Sequence, residues 1–327
     1  MNLSKPRTLF YLFAIFIPII FLSCNQPGNK TYPSRPISFL VPWAPGGMTD
    51  LSSRAMAASL QNILGTPVNV VNRTGGGGVV GHTAISQAQP DGYTLGAVTV
   101  EITMMHRMGV TQLTHQDYTP LALMINNPAS ITVRADAPWE NIDELIEEIR
   151  NHPGELQASG TARGGIWDLA RIGFLEAAGL PESAMPWVPS QGSAPALQEL
   201  IAEGVDVVTA SLSEVDALRK AGQVKTLAVM AEDRLPQFPE IPTLKETGID
   251  WSIGGWVSIC APKNLPAPIR ATLDSAIMIA AKDSLFTSSM SQAGSNIQYV
   301  HGEKLIHFLT KQDSINGAMM KNAGIGQ

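Results

Sequence analysis

Three short glycine-rich stretches are the part of this sequence best suited to binding a ligand. They cover residues 45–49, 74–78 and 160–165, and each lies between a strand-like run of residues and a helix-like pattern. Glycine lets backbone N–H groups approach a ligand closely, and a helix N-terminus adds partial positive charge. The loops are therefore suited to a carboxylate or a phosphate, although each loop alone is explained equally well as a tight turn.

Arginine and tryptophan side chains lie in or beside these loops. The guanidinium groups of Arg73 and Arg163 could each hold a carboxylate with two hydrogen bonds, and an ordinary surface position is the alternative for both. The indoles of Trp43 and Trp167 could form the walls of a cleft and each donate one N–H group. Trp187 is also near a loop, where packing in the core is an equally good explanation.

Motifs for catalysis are sparse. The sequence contains no His-Glu-x-x-His, Gly-x-Ser-x-Gly or P-loop pattern, and its six histidines are scattered. Ser193 has no base nearby and is interpreted as a helix cap, and Cys260 is interpreted as a core residue. The pattern Gly76-x-Gly78-x-x-Gly81 lies on the second strand–helix unit rather than the first, which disfavours a dinucleotide site. We therefore predict no enzyme activity, no cofactor and no metal site.

The loops join alternating strand and helix patterns from residue 35 onward, which predict parallel strands with right-handed crossovers in an open α/β sheet. The first helix is expected to be capped by Thr49 or Asp50 and to reach about Leu64. The predicted segments include strands at 37–41, 68–71, 93–98 and 131–133 and helices at 79–88, 142–150 and 167–178. This pattern predicts two α/β domains, of which the first is discontinuous: residues 32–130 with 253–327, and residues 131–252.

The N-terminus has the layout of an export signal. Lys5 and Arg7 precede an apolar run over 9–22 that is short for a bilayer span, and a short membrane anchor is the alternative. Phe21-Leu22-Ser23-Cys24 resembles the lipobox at which bacterial lipoproteins are cleaved and acylated. We therefore predict a signal peptide over 1–23, a lipidated Cys24 and a tether over 24–31. Loss of the two cations with the signal changes the formal charge from −6 to −8, and such an acidic chain is unsuited to nucleic acid.

Characteristic short segments follow one another from about residue 32 to residue 325. They include Val41-Pro42-Trp43-Ala44-Pro45-Gly46-Gly47-Met48-Thr49-Asp50, Val71-Asn72-Arg73 with 75–81, Pro90-Asp91-Gly92-Tyr93-Thr94-Leu95, Asp117-Tyr118-Thr119-Pro120 and Pro239-Glu240-Ile241-Pro242-Thr243. In this order and spacing they resemble the substrate-binding receptors of tripartite tricarboxylate transporters, the Bug (TctC-like) family. The ordered set is far more specific than any single glycine motif.

This resemblance implies an α/β, two-lobed periplasmic-binding-protein fold of the Venus-flytrap, type II-like class, which closes on a small organic carboxylate. It implies a monomeric receptor in the periplasm or cell envelope that delivers the carboxylate to the membrane permease subunits of a transporter. The residues expected to contact the ligand are Trp43, Gly46, Gly47, Thr49, Asp50, Arg73, Gly76, Gly77, Thr99, Thr161, Arg163, Trp167, Gly192 and Ser193.

The predicted second domain departs from the family pattern. A loop that is usually serine-rich and ends in histidine contains Arg163 and Trp167 here, and Ser190 stands where a tyrosine is common. We therefore expect Arg163 and Trp167 to determine ligand selectivity. A sensor that passes its bound state to a signalling partner is the first alternative function, and an exported α/β enzyme is the second, with less support.

Overall fold

The computed structural model describes residue 1, residues 32–322 and residues 324–326. Apart from residue 1, the predicted signal peptide lies outside these residues, as do the tether and Cys24. Within the described residues, no helix is both long and apolar enough to cross a membrane. From Tyr32 onward the chain forms one compact unit.

The strands form a mixed sheet. They are β1 (Ile37–Val41), β2 (Val68–Asn72), β3 (Thr94–Thr99), β4 (Tyr118–Arg134), β5 (Ala158–Ser159), β6 (Trp187–Val188), β7 (Val207–Ser211), β8 (Val224–Val229), β9 (Gly254–Pro262) and β10 (Ile297–His301). Their order is β2-β1-β3-β9-β4-β7-β5-β6, and β8 and β10 both pair with β4. The predicted parallel arrangement is found for β1 with β2 and β3 and for β5 with β6 and β7, whereas β4 and β9 run antiparallel to their neighbours.

The helices pack on this sheet. They are α1 (Met48–Leu64), α2 (Val79–Ser86), α3 (Ile142–Asn151), α4 (Ile166–Ala177), α5 (Ser193–Ile201), α6 (Leu212–Lys220), α7 (Ala267–Ala280), α8 (Ser284–Gln292) and α9 (Gly302–Asn322). In β1, Ile37, Phe39 and Val41 are fully buried, because α1, α7 and α8 cover that face of the sheet. A separate apolar cluster lies under α5 and α6. Cys260 in β9 is 1% exposed, which confirms its interpretation as a core residue.

Strand β4 is much longer than the sequence predicts. A strand was expected only at 131–133, but β4 covers 17 residues. Its first half pairs with β9 and β10, and its second half pairs with β7 and β8. Asn126, Asn127 and Pro128 interrupt the apolar pattern in the middle, which is why periodicity alone misses the strand. A single strand therefore connects the two groups of strands, while the predicted domain boundaries at 130 and 252 stay a prediction.

The start of α1 also differs from the expectation. The residue at the N-cap is Gly47, with no hydrogen bond from a side chain, so neither Thr49 nor Asp50 caps the helix. The carboxylate of Asp50 instead accepts hydrogen bonds from the Gly46 backbone N–H at 3.0 Å, from Arg54 Nε at 2.9 Å and from Asn72 Nδ2 at 2.9 Å. Burial opposes its ionisation, but these hydrogen bonds hold the pKa of Asp50 below its usual value. Asp50 thus connects the first glycine loop, through Gly46, to Asn72 at the end of β2.

Candidate functional site

The first and third glycine loops and the start of α5 meet at one cavity. Three helices begin at its wall, α1, α4 and α5, and their N-cap residues are Gly47, Gly165 and Gly192. None of these glycines can supply a side-chain cap. Glu214 and Glu101 approach the N–H groups of Met48 and Ile166, and further first-turn N–H groups of the three helices remain available to a ligand. The convergence of three helix N-termini makes this cavity favourable for a negatively charged group.

Eight of the predicted binding residues line this cavity. They are Trp43, Gly47, Thr49, Thr99, Thr161, Trp167, Gly192 and Ser193. They come from loops that are far apart in the sequence, and the structure brings them together at the ends of β1, β3, β5 and β6. Ligand contact by these residues stays a prediction.

Six other predicted residues lie away from the cavity wall. Gly46 and Asp50 form the hydrogen bond behind the first loop described above. Gly76 and Gly77 belong to a short 3-10 helix, and a Cβ atom at Gly77 would lie 3.0 Å from Ala162 Cβ, so the second glycine loop contacts the third.

The two predicted arginines are the remaining members of this group. Arg73 is exposed, and the side chain of Arg163 is 70% exposed and lies 3.3 Å from Glu182 Oε1. The backbone of Arg163 belongs to a glycine loop as expected, but its side chain points to the surface ion pair. In this conformation neither guanidinium lines the cavity.

Three indoles form much of the wall. Trp43 Nε1 donates to Thr99 Oγ1 at 3.2 Å, and Trp167 Nε1 donates to Ser193 Oγ at 3.0 Å. Ser193 is the first residue of α5 rather than its cap, so the interpretation of Ser193 as a helix cap is wrong. Its hydroxyl instead orients Trp167. Trp256, from β9, is the third indole and was not singled out from the sequence.

Two glutamates on the wall were also missed as binding candidates. Glu101 is 4% exposed, and its carboxylate accepts a hydrogen bond from Thr99 Oγ1 and a long one, at 3.5 Å, from the Ile166 backbone N–H. Burial raises the pKa of Glu101 above its usual value. In the sequence it is a single acid after a strand, with no pattern to mark it.

Glu214 links distant parts of the chain. Its Oε1 accepts a hydrogen bond from the Met48 backbone N–H at 3.2 Å, at the start of α1. Its Oε2 accepts from the Ser211 backbone N–H at 3.0 Å and from Ser211 Oγ at 2.9 Å, which forms a capping box for α6. The Ser-x-x-Glu spacing of Ser211 and Glu214 is the signal that could have identified this residue as a cap.

His82 does not line the cavity but contacts Thr99, which does. It is fully buried, and this burial lowers its pKa to about 4, so the ring is neutral at pH 7. Because the Thr99 backbone N–H can only donate, His82 Nε2 accepts from it at 3.1 Å, and the proton on Nδ1 is donated to the Gly78 carbonyl at 2.9 Å. The ring therefore connects the second glycine loop to Thr99 on the cavity wall.

The chain is similar to known proteins over most of its length. A model of the tripartite tricarboxylate transporter family receptor matches residues 52–325. A UPF0065 protein of Bordetella pertussis is 31% identical over 310 residues, which cover 94% of this chain and 95% of the relative. The protein BugT of the same organism is 30% identical over 84% of this chain and 83% of its own length.

Solved structures show the same similarity. The periplasmic binding protein BugD is 29% identical with a TM-score of 0.84, over 90% of this chain and 99% of BugD. A protein of R. palustris solved with adipate is 25% identical with a TM-score of 0.84, over 90% and 99%. A TctC solute-binding protein from Polaromonas solved without ligand is 32% identical with a TM-score of 0.65, over 89% and 100%.

These neighbours confirm the predicted two-lobed periplasmic-binding-protein class. The family and the fold are those of solute-binding proteins. The ordered glycine loops, the cavity at their meeting point and the match over residues 52–325 all lead to the same assignment. This chain belongs to the family of tripartite tricarboxylate transporter receptors.

Proposed function

We propose that this protein is an extracytoplasmic receptor that captures a small organic carboxylate in the cavity and delivers it to the permease of a tripartite tricarboxylate transporter. The observation that carries this proposal is the convergence of the N-termini of α1, α4 and α5, all with glycine at the N-cap, on one cavity. A carboxylate there receives backbone N–H groups and the positive ends of the helix dipoles. The adipate in the R. palustris relative supports this class of ligand.

Ligand capture is expected to proceed by closure of the two predicted lobes. The first glycine loop contacts the predicted second lobe in two places: Ala44 N donates to Gln191 O at 3.3 Å, and Met48 N donates to Glu214 Oε1 at 3.2 Å. Both contacts are made only when the lobes are together, so they favour the closed state. The higher TM-score to the adipate complex than to the more similar but ligand-free Polaromonas protein supports a closed arrangement.

The proposed capture can be tested by a thermal-shift screen of mono-, di- and tricarboxylates, aromatic acids and amino acids, followed by titration calorimetry. A ligand at 100 times its Kd stabilises the folded state by about 2.7 kcal/mol, which raises Tm measurably. Tryptophan fluorescence should change on binding, because Trp43, Trp167 and Trp256 line the cavity. If no carboxylate in the panel changes Tm or fluorescence, carboxylate capture by this chain is refuted.

Location and delivery need separate experiments. We propose that Cys24 anchors the mature protein to the envelope membrane and that the receptor acts as a monomer. A Cys24→Ser variant should move from the membrane fraction to the soluble fraction, and sedimentation of the soluble form should give a single monomer mass. Uptake of the identified ligand should require both this receptor and a permease. Ligand-dependent signalling without uptake would favour the sensor alternative.

A further inference from the structure

The charged groups on the cavity wall are unusual for a site that binds an anion. Of the described residues that line the cavity, Glu101 and Glu214 are acidic, and none is a lysine, an arginine or a histidine. The predicted arginines do not compensate, because Arg163 is held at the surface near Glu182 and Arg73 is exposed. A ligand must therefore enter a cavity in which two carboxyl groups have no side-chain cation beside them.

Two buried polar atoms on the same wall lack a partner. Trp256 is 1% exposed and its Nε1 makes no hydrogen bond, and Thr161 is 5% exposed and its Oγ1 makes none. An unpaired buried polar group destabilises the free protein by an amount comparable to a lost hydrogen bond, so both atoms point to a polar ligand. The indole N–H can only donate, and it therefore requires an acceptor such as a ligand oxygen.

The two glutamates differ in what their oxygens still accept. Oε1 of Glu214 accepts from Met48 and Oε2 accepts twice from Ser211, so this carboxyl group is held in position. In Glu101, Oε2 accepts from Thr99, but Oε1 has only the 3.5 Å contact with the Ile166 N–H. Glu101 Oε1 is thus a buried acceptor with spare capacity at the cavity, beside a second acid.

We propose that the ligand is zwitterionic, with one carboxylate at the helix N-termini and a protonated amino group that donates to Glu101 Oε1. This inference rests on the proposed function and names its substrate class. An ammonium group supplies the cation that the wall lacks, and the field of Glu214 adds to its attraction. A dicarboxylate would place its second charge against two carboxyl groups, so this chain is expected to reject dicarboxylates such as adipate.

Two matched ligand series test the inference by calorimetry: 4-aminobutyrate against butanoate and succinate, and leucine against 4-methylpentanoate, within a screen of all common amino acids. We expect a zwitterion to bind at least about thirtyfold more tightly than its counterpart without the amino group. In Glu101→Gln that preference should fall to about threefold or less, because a neutral amide replaces the anion. Glu303→Gln is the control, since Glu303 is exposed and does not line the cavity.

The outcomes separate this inference from the proposed function. If no carboxylate of any kind binds, the proposed function fails and the inference fails with it. If a dicarboxylate or a simple monocarboxylate binds and no zwitterion does, the proposed function stands and the inference is overturned. The same conclusion follows if Glu101→Gln keeps the full preference for the amino group, because Glu101 would then not hold it.

Proton release provides a readout that does not depend on a variant that folds. In this proposal Glu101 is the group that changes protonation. The charge of Glu214 acts on it and raises its pKa further, and the neutral ring of His82 contacts Thr99. An ammonium group favours the ionised carboxylate, so binding should release protons, measured by calorimetry in buffers of different ionisation enthalpy. Affinity should therefore increase with pH until Glu101 is ionised in the free protein. Proton uptake on binding would overturn the inference.

Discussion

The hydrogen bond between Glu214 and Met48 provides a sharp test of closure. In Glu214→Gln, a single amide oxygen replaces two carboxylate oxygens that accept from three donors, the Met48 N–H, the Ser211 N–H and Ser211 Oγ. The amide NH₂ group cannot accept a hydrogen bond, so either the Met48 N–H or the Ser211 N–H loses its acceptor. Because the bonds to Ser211 are local within the capping box, the long-range bond to Met48 is the one expected to be lost.

The size of the effect follows from the kind of bond. A hydrogen bond to a charged group contributes about 1.5–3 kcal/mol, and the 3.2 Å distance places this one at the lower end. In the proposed closure this bond exists only in the closed state. Its loss should therefore weaken ligand binding by about tenfold, because 1.4 kcal/mol is a factor of ten. The free energy of unfolding of the ligand-free protein should change less than the free energy of binding does.

Titration calorimetry measures the affinity, and urea unfolding measures the stability. Glu144→Gln is the matched control, because Glu144 also accepts hydrogen bonds at a helix start, from the Glu140 N–H and from Asn141 Nδ2, but is exposed and makes no contact with the cavity. It should leave affinity unchanged. Wild-type affinity in Glu214→Gln, or an equal loss in Glu144→Gln, would refute the role of this bond in closure.

Three further predictions follow from buried groups. In Gly81→Ala the new Cβ would lie 2.5 Å from Pro42 Cα and 2.7 Å from the Arg73 carbonyl oxygen. Urea unfolding should therefore show that the free energy of unfolding falls by about 1–3 kcal/mol or more. An unchanged free energy of unfolding would contradict this packing. Cys260 is fully buried and burial raises its pKa to about 12, so its thiol should react with a thiol reagent only when the protein unfolds. Reaction of the folded protein at the rate of a free thiol would disprove this. Burial lowers the pKa of His82 to about 4 in the folded protein, against about 6.5 in the unfolded chain. Between these two pH values the unfolded state binds more protons. The free energy of unfolding should therefore fall by about 3 kcal/mol as the pH decreases from 6.5 to 4. His82→Gln should reduce this pH dependence, and an identical dependence would assign it to other groups.

The positions of the glycine loops could be predicted because they depend on local chemistry. Glycine between a strand and a helix marks an uncapped helix start wherever the fold places it, and Gly47, Gly165 and Gly192 are all N-cap residues at the cavity wall or next to it. The order of these loops also identified the family. The predicted bounds of some helices and strands are close to those in the structure, because they also depend on local sequence. For example, α4 is predicted at 167–178 and covers Ile166–Ala177.

Side-chain directions and long-range pairs could not be predicted in the same way. Arg163 belongs to the expected loop, yet its guanidinium lies against Glu182, because backbone position does not determine where a long flexible side chain finds its partner. Glu101, Glu214 and Trp256 are isolated residues in three different elements, and no spacing connects them. Strand β4 was recognised only in part, because its two halves pair with different strands.

The sequence by itself determined the family, the alternating α/β elements and the glycine loops between them, since these depend on residue type, order and short-range geometry. Only the tertiary structure decided which charges share the cavity. It brings Glu101 and Glu214 to one wall and leaves Arg73 and Arg163 outside it. Local electrostatics depends on distance and burial, which a linear sequence does not contain, so the formal charge of −6 for the chain does not describe the field inside the cavity.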